Sequence, residues 1–300
     1  MSETQTIPTT ASQRFSTFAR DIKISHSIFA LPWALLSTFL AARGWPRPVD
    51  LGLIVLCMVT ARTVAMSSNR LLDAQLDARN PRTANRAIPS GKLSRHFYWI
   101  ALLVCSFAFV GATSLFWFLN RNPWPIALSV PVLLFVSAYP LLKRFTRLCH
   151  YYLGAALGLA PICAWIAINP HLGMIPIHIA IAVLLWTAGF DIIYACQDYQ
   201  NDLETGVISV PVKFGIGPAL WIARATHLLS FWAMLIVGFH GQQLGILYLI
   251  GVGCAGVLLI TEHLLIRAND LSKVGIAFFT MNGIISLLVG TLGIIDVLMH

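Results

Sequence analysis

The stretch Asn69-Arg70-Leu71-Leu72-Asp73-Ala74-Gln75-Leu76-Asp77 decides how the rest of the chain is read. An α-helix turns about 100° per residue, so residues four apart drift only about 40° per step, and Asn69, Asp73 and Asp77 share one face about 12 Å long. The spacing returns in Tyr194-Ala195-Cys196-Gln197-Asp198-Tyr199-Gln200-Asn201-Asp202, where Asp198 and Asp202 sit four apart and Asp191 precedes Asp198 by seven. One acidic face reads easily as a solvated helix end. A repeated one suggests two jaws.

Around these motifs the chain is apolar: 57% of its 300 residues are hydrophobic and 11% charged, with mean hydropathy +0.76, against roughly 25% charged residues in soluble domains. Apolar runs of about 20 residues suit helices crossing a hydrocarbon core of about 30 Å. Nine spans are predicted, at roughly 24–43, 50–70, 96–119, 124–142, 148–168, 175–197, 218–239, 243–264 and 275–298. The expected fold is all-α, a polytopic membrane protein of about nine transmembrane helices around a central cavity. Residues 1–20 are expected as a loose polar N-terminal tail and 21–300 as a single transmembrane domain. The tail lacks the basic and apolar regions of a signal peptide. The six cysteines form no C-x-x-C pair and read as small buried hydrophobes.

The net charge of +8 points to membrane orientation rather than to nucleic acid. With the N-terminus inside, fifteen basic residues between Arg14 and Lys273 fall in inner segments, and only Arg43, Arg47 and Arg121 fall outside. Both acidic faces then stand at the cytoplasmic ends of spans two and six.

Paired carboxylates with an Asn carbonyl are hard oxygen ligands suited to Mg²⁺, which makes Asn69, Asp73, Asp77, Asp198 and Asp202 candidate metal ligands. Arg86, Lys143 and Arg144 in the inner loops can donate to phosphate oxygens, and they read equally as topology determinants. The loop from Pro81 to Gly91, rich in turn formers and bases, can close over an anion as a lid. The implied ligand is a diphosphate whose other end suits lipid, an allylic prenyl diphosphate lying in the bilayer. Arg62 precedes Asn69 by seven residues and so extends the same face deeper, where a charge costs on the order of 2.5–3.5 kcal/mol unless it meets a polar cavity. Asp191 lies deeper than its motif as well, with a catalytic or metal role or as a partner to an Arg. Tyr139 and Tyr194 offer π faces to a cation, or serve as interfacial aromatics. A reading from another class, a secondary transporter, accounts for membrane-embedded Asp and Arg, but transporters place binding groups near the midplane rather than at one face.

These residues resemble the UbiA superfamily of intramembrane prenyltransferases over nearly the whole chain. The resemblance rests on N-x3-D-x3-D at Asn69, Asp73 and Asp77 followed by P-R-T-x2-R-x-I-P-S-G from Pro81 to Gly91, on Tyr139-Pro140 ahead of Lys143-Arg144-Phe145-Thr146, and on D-x2-Y-x3-D-x3-D from Asp191 to Asp202. It implies a nine-helix bundle in a bacterial inner membrane with a cytoplasmic active site. There, two Mg²⁺ ions on the Asp motifs bind a polyprenyl diphosphate, and an electron-rich aromatic ring attacks the allylic cation. Arg62 matches the Arg that this family places seven residues before its Asn, and the resemblance makes it the candidate for orienting the acceptor. Ile22 to Pro32 and Phe278 to Asn282 resemble the branch acting on 4-hydroxybenzoate in ubiquinone biosynthesis, and that branch includes enzymes prenylating a dihydroxynaphthoate in a menaquinone route.

Overall fold

The computed structural model describes residues 10–300, so the first nine residues of the expected tail lie outside the described residues. The remainder of that tail is ordered. Helix α1, Ala11–Asp21, starts at a capping box in which Thr10 Oγ1 accepts from the Gln13 amide and the Gln13 side chain accepts from the Thr10 amide, both at 3.2 Å. Phe18 packs edge-on against Phe97 and Tyr98. Asp21 accepts from Arg70 at 2.8 Å and from the Ala87 amide at 2.9 Å. The loose tail is thus corrected from Ala11 onward: a buried aromatic and a buried carboxylate dock it. Arg70, counted above among the loop bases, is 2% exposed and serves this ion pair.

The first expected span is broken into a 3-10 helix, Ile24–Phe29, and α2, Leu31–Ala42. Pro32 in the first turn of α2 lacks the amide that an unbroken helix would need there. Twelve α-helical residues and six 3-10 residues still reach about 30 Å together. Among the described residues eight helices are long and apolar enough to cross a membrane. They are α3 (Pro48–Arg79), α4 (Arg95–Asn120), α5 (Trp124–Leu142), α6 (Cys149–Ile168), α7 (Met174–Ala195, extended by the short α8, Tyr199–Thr205), α10 (Ile216–His240), α11 (Ile246–Leu265) and α12 (Val274–Met299). A one-turn helix α9, Val210–Phe214, joins α8 to α10.

The helices pack as two lobes that share α6. In one, α2, α7, α10, α11 and α12 close on a solid core of Trp33, Trp186, Met234, Tyr248 and Ile285. In the other, α3, α4, α5 and α6 surround an apolar cavity. The seam between α6 and α7 depends on Gly154 and Gly158, the G-x3-G spacing of close helix pairs. A Cβ at these positions would lie 2.2 Å from the Leu184 carbonyl oxygen and 2.8 Å from that of Ala180.

Candidate active site

The first acidic face forms as its spacing predicts, toward the C-terminal end of an unbroken α3, with Asp73 and Asp77 buried. Asn69 Nδ2 donates to Asp73 Oδ2 at 2.8 Å, and Lys143 Nζ, just past the end of α5, donates to the same oxygen at 2.7 Å. Asp73 Oδ1 is buried without a hydrogen-bond partner among the described residues, and Arg144 Nη2 stands 3.9 Å away. Arg144 is spent partly on the Leu72 carbonyl oxygen, at 2.6 Å. Arg86 folds back from the loop after α3, and its Nη1 reaches both oxygens of Asp77 at 2.7 and 2.8 Å.

The second face is built differently. α7 ends at Ala195, the chain tightens into a 3-10 turn over Cys196–Asp198, and α8 begins at Tyr199. A 3-10 helix turns about 120° per residue, so three residues swing Asp202 about 60° from where an unbroken α-helix would carry it. Asp198 accepts from Asn80 Nδ2 at 2.9 Å and from Arg82 Nε at 2.8 Å, with Arg82 Nη2 on its other oxygen. Arg82 Nη1 donates to the Tyr194 hydroxyl at 2.7 Å, and the guanidinium lies over that ring, 4.9 Å from its centre. Because Asn80 is the residue that ends α3, the two motifs meet there. Asp202 lies within electrostatic reach of Asp198, Lys143 and Arg82.

Deeper in the protein stand Arg62 and Tyr139, both lining the apolar cavity of α3 to α6 beside Ile54, Phe109, Phe116 and Val136, with a volume of about 180 Å³. Arg62 Nη2 donates to the Lys23 carbonyl oxygen at 3.3 Å, while its Nε is buried with no partner among the described residues. The Tyr139 hydroxyl faces Met66 Sδ at 3.8 Å. Asp191 pairs with His150 Nδ1 at 2.7 Å, a histidine in place of the arginine that was one of the alternatives for it.

Sequence reasoning assigned no site role to Asn80, Arg82, His150 or Lys23. Arg82 lies inside the loop read as a lid, which was its signal; His150 has no spacing that singles it out. Lys23 adjoins Arg86, Arg82 and Arg70, and desolvation together with these guanidinium groups pulls its ammonium down to about 8. Since Lys23 is exposed by surface area, crowding of like charge is the sounder cause. The donor set fits a hard divalent cation: Asn and Asp oxygens, one of them orphaned and buried. Among the described residues no three His, Cys, Asp or Glu side chains form a closed metal cluster. Mg²⁺ is commonly held by one or two carboxylates together with substrate phosphates and water.

A family model described as the UbiA prenyltransferase family matches residues 30–284. The chain is 30% identical over 282 residues to a 4-hydroxybenzoate octaprenyltransferase of Nitrosococcus oceani, covering 90% of this chain and 93% of that one. It is 31% identical over 256 residues to a protein of the same description from Vibrio atlanticus, covering 84% and 87%. Among solved structures, the apo structure of a UbiA homologue from Aeropyrum pernix K1 superposes with a TM-score of 0.78 at 27% identity, covering 91% of this chain and 98% of that one. A UbiA homologue from Archaeoglobus fulgidus bound to GPP and Mg²⁺ superposes at 0.68 with 19% identity, covering 95% and 100%, a likeness of fold.

Proposed function

The chain belongs to the UbiA prenyltransferase family, and we propose from this premise that it is an integral membrane enzyme joining a polyprenyl group to the ring of a hydroxylated aromatic acid. The donor is an allylic polyprenyl diphosphate and the acceptor 4-hydroxybenzoate, in quinone biosynthesis, with the active site on the cytoplasmic side of a bacterial inner membrane. The names of the relatives favour this acceptor over a dihydroxynaphthoate. Family membership sets the transporter reading aside.

The observation that supports the reading most is the hydrogen bond from Asn80, at the end of α3, to Asp198. It joins both acidic motifs into one base-rimmed site beside an apolar chamber. Asn69, Asp73, Asp77, Asp198 and Asp202 would hold Mg²⁺. When bound, the metal supplies Lewis-acid neutralisation of the departing diphosphate, worth several kcal/mol. Arg86, Lys143 and Arg144 donate to phosphate oxygens. The allylic C–O bond breaks with its electron pair leaving on the diphosphate, and the allylic carbon bonds to a ring carbon of the acceptor. Tyr139, which lines the cavity, turns a π face toward the allylic cation, an interaction of about 2 kcal/mol where water is excluded, whereas the Tyr194 ring, expected to do the same, is covered by Arg82 and Phe278 and holds Arg82 through its hydroxyl. Arg62, with its buried and unpartnered Nε, pairs with the acceptor carboxylate. Asp191 takes the proton that the alkylated ring carbon sheds, which restores aromaticity.

The test is purified protein with geranyl diphosphate, Mg²⁺ and 4-hydroxybenzoate, with a dihydroxynaphthoate in parallel and products identified by mass. Absence of a prenylated aromatic acid in both arms would sink the proposal. Arg62→Ala should raise KM for the aromatic acid at least about tenfold, the worth of one charge-assisted contact, and leave KM for geranyl diphosphate unchanged.

A further inference from the structure

His150 is 3% exposed at the start of α6 and touches two other elements. Its Nδ1 lies 2.7 Å from Asp191 Oδ2 on α7, and its Nε2 accepts the Val210 amide at 3.2 Å. Val210 is the first residue of α9, so its amide has no partner within the helix, and Val210 itself is buried. That amide is a donor with nowhere else to go. Nε2 must therefore carry a lone pair, which leaves the ring proton on Nδ1, pointed at Asp191. The ring is oriented by a backbone group at one nitrogen, and the carboxylate at the other accepts from Nδ1.

No other hydrogen bond to Asp191 occurs among the described residues, and its side chain is 24% exposed. Asp191, Tyr194 and Asp198 fall at i, i+3 and i+7, on one side of α7 up to the 3-10 turn. Asp191 lies about 10 Å along the helix from Asp198, before the level at which Asp198 meets Asn80. The loop that supplies the Val210 amide is also tied to the phosphate side of the site, since the Ile208 amide donates to the Lys143 carbonyl oxygen at 2.7 Å.

We propose that His150 is a positioning residue. Locked as the Nδ1–H tautomer by Val210, it engages Asp191 Oδ2, which leaves Oδ1 to receive the proton released when the new carbon–carbon bond forms. This inference rests on the prenyl-transfer reading and assigns a histidine that touches neither substrate.

Steady-state kinetics with geranyl diphosphate, Mg²⁺ and the accepted aromatic acid, on variants that remain monodisperse in detergent, test it. His150→Phe removes both ring nitrogens and is expected to lower kcat about 10²-fold, the scale of one general acid–base group, with KM for geranyl diphosphate held within about threefold. His150→Gln restores an acceptor for Val210 and a donor for Asp191, and is expected to regain at least tenfold of that loss. Val210→Pro deletes the donor amide and keeps an apolar side chain of similar size in the buried position; Pro suits the first position of a helix, and Ser209 before it is already extended (φ −134°, ψ 168°). It is expected to lower kcat about fivefold with KM unchanged. A His150→Phe enzyme within threefold of wild type, or a His150→Gln enzyme no better than His150→Phe, overturns the assignment. If His150→Phe does not fold, an unchanged kcat in Val210→Pro overturns it. A wild-type enzyme that forms no product in the same assay counts against the prenyl-transfer reading itself.

Discussion

The two acidic motifs have the same spacing along the chain and are held in opposite ways. Asn69, Asp73 and Asp77 ride an unbroken helix of 32 residues, with Asp73 1% and Asp77 5% exposed, and bases from the end of α5 and the following loop are brought to them. Asp198 and Asp202 straddle a joint between α7 and α8, and Asp198 is held from outside by Asn80 and Arg82, which follow directly on the first motif's helix. Spacing alone therefore does not define a jaw. The first is a fixed surface. The second is a carboxylate pair on a 3-10 turn, whose weaker hydrogen bonds mark a place where a helix can adjust, and it is registered against the first by two side chains.

The largest expected effect tests whether both motifs serve one metal-dependent site. Removing divalent metal with EDTA should abolish prenyl transfer, by about 10³-fold or more given several kcal/mol of Lewis-acid assistance, and Mg²⁺ should restore it. Turnover that survives chelation would leave neither motif a metal holder. Next comes a paired substitution that sharpens the contrast itself. Asp73→Glu forces an extra methylene into a buried face on a rigid helix and should cost about 10²-fold in kcat/KM, on the scale of about 1–3 kcal/mol for overpacking. Asp202→Glu sits on the adjustable side and should cost under about tenfold. Equal losses would mean that the joint confers no adjustability.

A smaller effect is expected from Arg82→Ala, which frees Asp198 and the Tyr194 hydroxyl together. KM for the prenyl diphosphate should rise about tenfold, as for loss of one charge-assisted contact, and KM for the aromatic acid should not move. The smallest concerns Lys23. Its ammonium titrates near 8, so it is cationic below that pH and neutral above it. KM for the prenyl diphosphate should rise by about threefold between pH 7 and pH 9, a rim-charge effect of under about 1 kcal/mol, and Lys23→Ala should flatten that limb. A Lys23→Ala enzyme with the wild-type profile would remove Lys23 from the anion's surroundings.

Much of this site was legible beforehand because its signals are local. Asn69, Asp73 and Asp77 lie on one helix face by rotation angle alone, and Arg62 follows from the same angle at seven residues. The 3-10 turn was not legible: neither Pro nor Gly occurs between Tyr194 and Asn201, and contacts made by Asp198 with residues 116 and 118 positions away accompany the break. His150 was invisible for a similar reason, its partners Asp191 and Val210 being 41 and 60 residues distant. Docking of α1 escaped notice because Asp21 finds Arg70, Ala87 and Tyr98 at separations of 49, 66 and 77.

The sequence by itself determined that the chain lives in a bilayer as a bundle of apolar helices, and that acidic residues recur at helical spacing at the ends of two of them. Hydropathy and helical periodicity are properties of a few consecutive residues, and they survive whatever the rest of the chain does. Only the tertiary structure decided that Asp198 bonds to the end of α3, that Asp191 faces a histidine locked by a backbone amide, and that the open chamber lies among α3 to α6. Those outcomes depend on which helix sides meet, and that is set by close approaches such as Gly154 against Leu184, which no local pattern of charge or hydropathy encodes.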